Sequence, residues 1–322
     1  MFRKFRKKIL YSVIFAAVIF LAISIFADFG KLLSAFAKFN WLWLPLILGL
    51  AFLNYIFRFF RWEMYLKTLN VKLSLKMSLT IFFASFIMSI TPGKFGELLK
   101  SFLIKEVNGE PLSKTMPIVL AERITDFLSM IFLAIIGAFV FNYGKSIIIA
   151  TGILFLLIVI LLSNKKICFA LLNFLKRIKF ISKYADKIIT AYESTYALLK
   201  IKTLIPTFLI SIISWFFECL AFYFVLKVYA ESGSVEVSVL TATFIYCFST
   251  LVGAVAMLPG GLGATEASLT GLLIFLNISK DISAASTIII RICTLWFAVL
   301  LGIIGTWLYE RLTNIKFKEM IE

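Results

Sequence analysis

Two segments of this 322-residue chain repeat one arrangement of helix-breaking and charged residues. Each contains Pro-Gly-x-x-Gly, then a glutamate, then an arginine that follows the proline by 31 residues in the first segment and 32 in the second. The members are Pro92, Gly93, Gly96, Glu97 and Arg123 in one segment, and Pro259, Gly260, Gly263, Glu266 and Arg291 in the other. A single Pro-Gly pair is common in turns, but two matched sets indicate an internal repeat.

The residue types in this repeat suit the binding of an anion. Proline ends a helix because it lacks an amide hydrogen, and the glycines, including Gly261, allow a tight turn that leaves backbone amides uncovered. The helix that follows then presents free N–H groups, which attract anions. Arg123 and Arg291 lie inside apolar stretches, where an arginine is costly and usually faces a partner or a cavity. Because a guanidinium binds phosphate through two parallel hydrogen bonds, the pattern indicates a site for a lipid phosphate.

The same charged residues also fit a purely structural role. Arg123 and Asp126 are three residues apart on one helix and so share a face. Glu97 is a second candidate partner for Arg123, and Glu266 is a candidate partner for Arg291. Structural clamps and a head-group path therefore remain alternatives.

Further polar residues in apolar stretches are secondary candidates for the site: Glu122, Asp126, Glu218, Thr287 and Thr294. Glu122 shares a helix face with Asp126, and its role is open. Glu218 lies in the middle of an apolar stretch and is either a protonated core carboxyl or a proton-coupling group. The two threonines flank Arg291, as expected for a substrate path or for helix packing.

Several kinds of chemistry are excluded by composition. The chain has no histidine, which removes imidazole catalysis and histidine-ligated metals, and its four cysteines form no Cys-x-x-Cys pair. No GxxxxGK[ST] nucleotide-binding motif is present. We therefore expect no metal, no cofactor and no enzymatic activity.

The elements that position these residues are apolar helices. Hydrophobic residues make up 61% of the chain and charged residues only 16%, far from the balance of a soluble domain. Full membrane spans are predicted at 9–27, 41–60, 116–140, 146–162, 204–229 and 284–309, with a short interfacial helix at 31–39. Arg58 and Arg61, with Trp62, are predicted to be interfacial anchors at the end of the second span.

Two apolar runs, 73–90 and 237–258, end at the Pro-Gly turns and are followed by short helices that reach about residues 104 and 276. A second arm of about ten residues is roughly 15 Å long and cannot cross about 30 Å of hydrocarbon. Both runs therefore predict re-entrant hairpins, although simple hydropathy gives eight spans.

The cations predict the orientation. Arg3, Lys4, Arg6, Lys7 and Lys8 precede the first span, and nine more lie between Lys165 and Lys202. Because lysine and arginine accumulate on the cytoplasmic side, both termini are predicted to be cytoplasmic in a multi-pass protein of the cell membrane. The cations flank spans, which favours contact with lipid rather than nucleic acid.

The predicted fold is an all-α integral membrane protein, a polytopic bundle with two inverted-topology repeats. Residues 1–322 form a single transmembrane domain, with repeat one at about 41–140 and repeat two at about 204–309. Residues 163–203 form a basic, amphipathic cytoplasmic linker. Inverted repeats are typical of secondary transporters.

At these motifs the chain resembles the lysylphosphatidylglycerol synthase transmembrane-region family, also called flippase-like. The resemblance rests on Pro92-Gly93-Lys94-Phe95-Gly96-Glu97, Glu122-Arg123-x-x-Asp126, Pro259-Gly260-Gly261-Leu262-Gly263-x-x-Glu266 and Arg291. It implies a lipid flippase for aminoacylated phosphatidylglycerol or for polyprenyl-phosphate-linked sugars. The soluble lysyl-transfer domain of the bifunctional members has no counterpart here, so no synthase activity is expected.

The sequence thus predicts a flippase-like transporter that moves a phosphate-bearing lipid, either a polyprenyl- or dolichyl-phosphate-linked sugar or an aminoacyl phospholipid, between leaflets. Transport would be passive or ion-coupled. One alternative is a membrane-embedded transferase acting on a lipid phosphate, with Glu97, Glu122 or Glu266 as the base; another is a small-anion secondary transporter. The expected partners are anionic or isoprenoid-phosphate lipids, not nucleic acid, and a homo-oligomer is left open.

Overall fold

A computed structural model describes residues 2–91, 97–141, 153, 185–230 and 237–313 of the chain. The described residues form helices joined by short turns, and no strand occurs among them. Three continuous helical stretches, Trp41–Thr68, Ile201–Ala230 and Lys280–Thr313, are long and apolar enough to cross a membrane. The prediction of an all-helical, multi-pass integral membrane protein is therefore confirmed at this level.

The N-terminal helices form a bent pair. Helix α1 (Phe2–Phe26) and helix α2 (Phe29–Lys38) meet at an angle of 95°. The bend lies at Asp28, which has φ of 67° and whose carboxylate accepts hydrogen bonds from the amides of Gly30 and Lys31. These helices match the predicted first span and the predicted short helix at 31–39.

In the first half of the chain, up to residue 141, four helices follow α2: α3 (Leu44–Thr68), α4 (Leu75–Ala84), α5 (Leu99–Asn108) and α6 (Leu112–Phe141). A 3₁₀ turn, Trp41–Trp43, precedes α3, and another, Ser85–Met88, extends α4. Helix α5 has 10 residues and is about 15 Å long. Its shortness agrees with the predicted short second arm, whereas α6 has 30 residues and extends about 45 Å.

The second half of the chain, from residue 185 to residue 313, also combines long and short helices. It contains α7 (Ala185–Leu199), α8 (Ile201–Ala230), α9 (Val239–Val255), α10 (Ala264–Phe275), α11 (Lys280–Arg291) and α12 (Phe297–Thr313). A 3₁₀ turn, Pro259–Gly261, leads into α10, which has 12 residues. A π-helical turn, Ile292–Trp296, joins α11 to α12, so the predicted span at 284–309 contains an irregularity directly after Arg291.

Apart from residue 153, the predicted span at 146–162 lies outside the described residues, and so does most of the predicted linker at 163–203. Helix α7 is the part of that linker that is described. It packs against α6, with Leu198 and Leu199 buried in the same apolar core as α3, α4 and α5.

The helices of the two halves pack against each other. Helix α3 packs along α8, α6 packs against α9, and α12 packs against α4. Glycine permits the closest approaches: a Cβ added at Gly137 of α6 would lie 2.7 Å from the carbonyl oxygen of Leu240, and one at Gly305 of α12 would lie 2.5 Å from the amide nitrogen of Ala84. Each close approach joins the long helix of one half to the apolar arm of the other.

Candidate functional site

Arg291 and Glu266 form a buried ion pair at the turn between α9 and α10. The Nε atom of Arg291 donates to Oε1 of Glu266 at 2.6 Å, and its Nη2 atom donates to the carbonyl oxygen of Gly260 at 2.7 Å. The two charged side chains are 9% and 0% exposed. Arg291 therefore connects its own helix both to the turn and to the short helix that follows it.

The turn itself depends on glycine. Gly260, Gly261 and Gly263 have φ values of 60°, 68° and 87°, a region that residues with a side chain rarely adopt. The amide of Gly263 donates to Oε2 of Glu266 at 2.7 Å, which caps the start of α10. The expectation of uncovered amides is therefore wrong at Gly263, because the carboxylate three residues later reaches back to it.

Arg123 and Glu97 form the corresponding pair in the first half. Nη2 of Arg123 donates to Oε2 of Glu97 at 2.6 Å, and Glu97 lies two residues before the start of α5. The Glu97 side chain is 3% exposed, but that of Arg123 is 20% exposed. Pro92, Gly93 and Gly96, which the sequence assigns to the same site, lie outside the described residues.

The two arginines occupy equivalent positions in their helices. Arg123 is the twelfth residue of α6, counted from Leu112, and Arg291 is the twelfth residue of α11, counted from Lys280. Each is therefore about 16 Å along the helix axis from its first residue. Sequence and structure thus agree that the two Glu–Arg pairs are matched, and the structure brings each predicted pair into direct contact.

Asp126 binds more cations than the sequence indicates. The expected contact with Arg123 is present at 3.3 Å, but Nη1 of Arg61 is closer to the carboxylate, at 2.6 Å. Arg58 lies at 4.0 Å, and the indole N–H of Trp215 donates to the same carboxylate at 3.0 Å. Asp126 therefore gathers side chains from α3, α6 and α8.

The prediction of interfacial anchors in α3 is wrong. Arg61, Trp62 and Arg58 are 0%, 1% and 8% exposed, and all three point into the protein. Asp126 makes this possible, because a buried guanidinium is tolerated when a carboxylate provides its counter-charge. The indole of Trp62 donates to Ser78 at 3.0 Å.

Lys100 is a buried residue of this region that sequence reasoning missed. Its Nζ atom lies 3.0 and 2.9 Å from the two carboxylate oxygens of Glu122, and it faces the rings of Trp62 and Phe82 at 5.0 and 4.9 Å. Its position, three residues after Glu97 in the predicted short helix, was the available signal. Glu122, to which the sequence assigned no definite role, therefore forms an ion pair with Lys100.

The remaining secondary candidates are buried polar residues of the second half. The hydroxyl of Tyr246 donates to Oε2 of Glu218 at 2.6 Å, and Glu218 is 6% exposed. Thr287 hydrogen-bonds to Thr270 of α10 at 3.0 Å, and the carbonyl of Thr294 accepts from the Tyr55 hydroxyl at 2.6 Å. The Thr287 hydroxyl thus joins neighbouring helices, which favours packing over a substrate path for that residue, whereas the Thr294 hydroxyl donates to the carbonyl of Ile290 in its own helix.

Within the described ranges, no cluster of three or more histidine, cysteine, aspartate or glutamate residues is arranged to hold a metal ion. Cys219 and Cys247 are buried free thiols whose sulfur atoms are 3.4 Å apart, and Cys293 is also buried. Cys168 lies outside the described residues.

Comparison with known proteins identifies relatives of the chain. The family model described as "Lysylphosphatidylglycerol synthase TM region" matches residues 9–302. A UPF0104 membrane protein of Methanocaldococcus jannaschii is 29% identical over 231 residues, which cover 70% of this chain and 95% of that protein. A UPF0104 membrane protein of Pyrococcus horikoshii is 27% identical over 271 residues, covering 75% and 79% of the two chains. A third, from Methanothermobacter thermautotrophicus, is 24% identical over 345 residues, covering 96% and 95%.

Proposed function

Because the chain belongs to the lysylphosphatidylglycerol synthase TM region family, we propose that it is a flippase-like transporter that moves a phosphate-bearing lipid between leaflets. The candidate cargo is a polyprenyl- or dolichyl-phosphate-linked sugar or an aminoacyl phospholipid. The lipid tail would stay in the bilayer while the head group crosses along polar side chains inside the protein.

One observation carries this proposal: two matched Glu–Arg pairs lie where short helices begin, one of them buried and the other with only its arginine partly exposed. Arg123 binds Glu97 and Arg291 binds Glu266, each at 2.6 Å. A buried arginine is expensive, and two at equivalent positions are more than helix packing requires. A phosphate offers a guanidinium the same two-oxygen geometry as a carboxylate, so it can exchange with the glutamate.

The contacts between the halves support an inverted-repeat architecture with re-entrant hairpins. Helix α6 of the first half packs on α9 of the second half, and helix α12 of the second half packs on α4 of the first half. Where α3 meets α8, the Asn54 amide donates to the carbonyl of Ser214 at 2.8 Å, and the Ser214 hydroxyl donates to the carbonyl of Asn54 at 3.1 Å. Such reciprocal contacts are expected when two repeats are related by a pseudo-twofold axis. We propose repeats at about 41–140 and 204–309.

The contacts of the carboxylates favour transport over a transferase. Glu97, Glu122 and Glu266, the candidate bases, each form an ion pair with Arg123, Lys100 and Arg291, respectively. Both oxygens of Glu122 contact Lys100, and one oxygen each of Glu97 and Glu266 accepts from an arginine, so cations occupy positions from which a substrate proton would have to approach. We therefore propose a transporter that is not an enzyme, in the cell membrane with both termini cytoplasmic.

The test is head-group translocation by the purified protein in liposomes. Fluorescent phosphatidylglycerol, a fluorescent polyprenyl-phosphate sugar and fluorescent phosphatidylcholine would be compared, with an impermeant reductant bleaching only the outer leaflet. We expect faster bleaching of the inner pool for at least one of the anionic lipids than in protein-free liposomes. Equal rates with and without protein for both anionic lipids would contradict the proposal, and flux of a small anion without head-group movement would favour the anion transporter instead.

A further inference from the structure

Glu218 lies near the middle of α8, where polar side chains from three other elements surround it. The hydroxyl of Tyr246, from α9, donates to its Oε2 atom at 2.6 Å and also interacts with the side chain of Thr294 in the π-helical turn. The charge of Glu218 acts on Tyr55 of α3, whose hydroxyl donates to the carbonyl oxygen of Thr294 at 2.6 Å. These four residues, here called the Glu218 network, form a continuous polar chain in the apolar interior.

The Glu218 network lies where the two halves of the protein meet. Ser214, one helical turn before Glu218, exchanges hydrogen bonds with Asn54, the residue before Tyr55. The π-helical turn that contains Thr294 directly follows the last residue of α11, and such turns are frequent at functional sites. A change of charge at Glu218 therefore acts on the contact between the halves.

Glu218 differs from other buried carboxylates in the partner of its short hydrogen bond. Four others bind a charged nitrogen of arginine or lysine at 2.6 or 2.9 Å: Glu97, Glu122, Asp126 and Glu266. The partner of Glu218 is the neutral hydroxyl of Tyr246. A hydroxyl can donate to an ionised carboxylate and can accept from a protonated one, whereas a guanidinium or an ammonium can only donate. The hydrogen bond of Glu218 is therefore compatible with both protonation states.

Charged and titratable groups approach Glu218 from the elements packed against α8. They are Tyr55 and Arg58 from α3, Tyr246 and Cys247 from α9, Arg291 and Cys293 from the end of α11 and the π-helical turn, and Asp126 from α6. The 3₁₀ turn before α3 has no titratable side chain. Helix α7 adjoins the start of α8, about 26 Å from Glu218 along the axis. Glu218 thus supplies a negative charge to a region that holds one arginine from each half, Arg58 and Arg291.

We propose that Glu218 is a proton-binding carboxylate that couples lipid movement to a proton gradient. Carboxylates inside membrane proteins commonly act in this way in pumps and transporters. A proton from water on one side binds a carboxylate oxygen and leaves to water on the other side, so no further reactant is needed. The coupling to lipid rests on the proposed function; the proton site itself does not.

The charges of the region predict the sign of the coupling. Protonation of Glu218 removes a negative charge near Arg58 and Arg291, which makes the region more favourable for the negative charge of a lipid phosphate. By linkage, the bound lipid favours protonation of Glu218 to the same extent. A proton and an anionic lipid therefore cross in the same direction.

Infrared difference spectroscopy of the purified protein in detergent tests the proton site without transport, because the C=O stretch of a protonated carboxyl is distinct from that of a carboxylate. We expect a carboxyl band that grows as the pH is lowered and that is missing in Glu218→Gln, which keeps an acceptor oxygen for Tyr246 but cannot take up a proton. Tyr246→Phe should shift the frequency of the band, which identifies it even where Glu218→Gln folds poorly. Glu110→Gln, at a partly exposed position, is the matched control and should leave this band unchanged.

Two infrared results would overturn the proposal. A Glu218 band that is present at every pH at which the protein stays folded identifies a permanently protonated core carboxyl. A complete absence of a Glu218-dependent band over the same pH range identifies a permanently ionised carboxylate. Neither group can carry a proton across the membrane.

Head-group translocation under an imposed pH gradient tests the coupling. The gradient should change the rate for the anionic lipid in wild-type liposomes and in Glu110→Gln, and Glu218→Gln should lose this response while keeping a normal size-exclusion profile. A wild-type response in Glu218→Gln would contradict the coupling role. If the wild-type protein moves no lipid at all, the proposed function fails, and the infrared titration still decides whether Glu218 binds a proton.

Discussion

At the scale of single residues, Glu266 and Asp126 are buried carboxylates that each contact more than one hydrogen-bond donor. Glu266 binds Arg291 with one oxygen and the amide of Gly263 with the other. Asp126 accepts from Arg61 and Trp215 and also faces Arg123. Breaking a buried pair leaves an uncompensated charge, so these carboxylates should be far more sensitive to substitution than exposed ones.

We expect Asp126→Asn to destabilise the protein by about 3–5 kcal/mol, because three arginines would lose their counter-charge. The measurement is thermal or denaturant unfolding in detergent. Glu110→Gln is the matched control: its i, i+4 pair with Lys114 is partly exposed and should contribute about 1 kcal/mol or less. Equal stability of the two variants would contradict the assignment of Asp126 as the central counter-ion.

The Arg291–Glu266 pair permits a sharper test of clamp against binding site. Arg291→Ala should lower the folded yield because Glu266 is left charged and buried, and the double variant Arg291→Ala/Glu266→Ala should recover much of it. Transport should not recover in the double variant, because the guanidinium that we propose binds phosphate is still missing. Size-exclusion profiles report folding, and head-group translocation reports function. Full recovery of transport in the double variant would favour the clamp.

Sequence reasoning identified the Glu–Arg pairs but missed other partners, for a physical reason. Glu97 with Arg123 and Glu266 with Arg291 were candidates because the repeat presents the same residues twice. The pairs Arg61–Asp126 and Lys100–Glu122 join helices whose relative rotation depends on packing along their whole length. The sequence contains no repeated copy of these pairs. Arg58 and Arg61 of α3 were therefore predicted to be interfacial anchors and not part of the site.

At the scale of helices, close packing between the halves depends on residues without a side chain. Gly305 of α12 lies against the backbone of Ala84, and Gly137 of α6 lies against Leu240 and Phe244 of α9. Small residues at such contacts let helices approach closely in membranes. The span boundaries were predicted to within a few residues for α8, whereas α3 extends to Thr68, well past the predicted end at residue 60. The charged residues Arg58 and Arg61 suggested an end of the helix, but their buried partner allows it to continue.

We expect Gly305→Ala and Gly137→Ala each to reduce the unfolding free energy by about 1–3 kcal/mol, because the added methyl group meets backbone atoms that cannot move independently. Gly271→Ala in α10 is the matched control, since nothing lies within 4 Å of its built Cβ. That variant should be neutral or slightly stabilising, as alanine favours a helix. Unfolding in detergent gives all three values, and a neutral result at Gly305 and Gly137 would contradict the packing of α12 on α4 and of α6 on α9.

At the scale of the whole molecule, the proposed function requires both a defined membrane topology and a transport path through the protein. The distribution of cations predicts which ends of the helices are cytoplasmic. The matched Glu–Arg pairs predict that a phosphate-bearing lipid head group crosses the membrane. The order of long and short helices was predictable from apolar runs and turn residues. The bend of 95° between α1 and α2 agrees with the predicted interfacial helix at 31–39, but the sequence did not show how the bend is made, because it depends on the positive φ of Asp28 and on the burial of Leu32 and Ala35 against the core.

The orientation can be tested by cysteine labelling in intact cells, in a background without the native cysteines. Ser34→Cys and Ser279→Cys stand at exposed positions and should react with an impermeant thiol reagent from outside. Asn108→Cys, also exposed, should react only after the cells are opened. Labelling of Asn108→Cys in intact cells, with Ser34→Cys and Ser279→Cys protected, would reverse the topology.

The central claim, that Arg123 and Arg291 handle a lipid phosphate, is tested most directly by head-group translocation of the anionic lipids in proteoliposomes containing single variants. We expect Arg123→Ala and Arg291→Ala each to reduce the rate to that of protein-free liposomes, and Arg→Lys at either position to impair it, because lysine keeps the charge but loses the planar fork. Arg311→Ala, at an exposed site, should transport normally. Wild-type rates for Arg123→Ala and Arg291→Ala, in protein with a normal size-exclusion profile, would contradict the account.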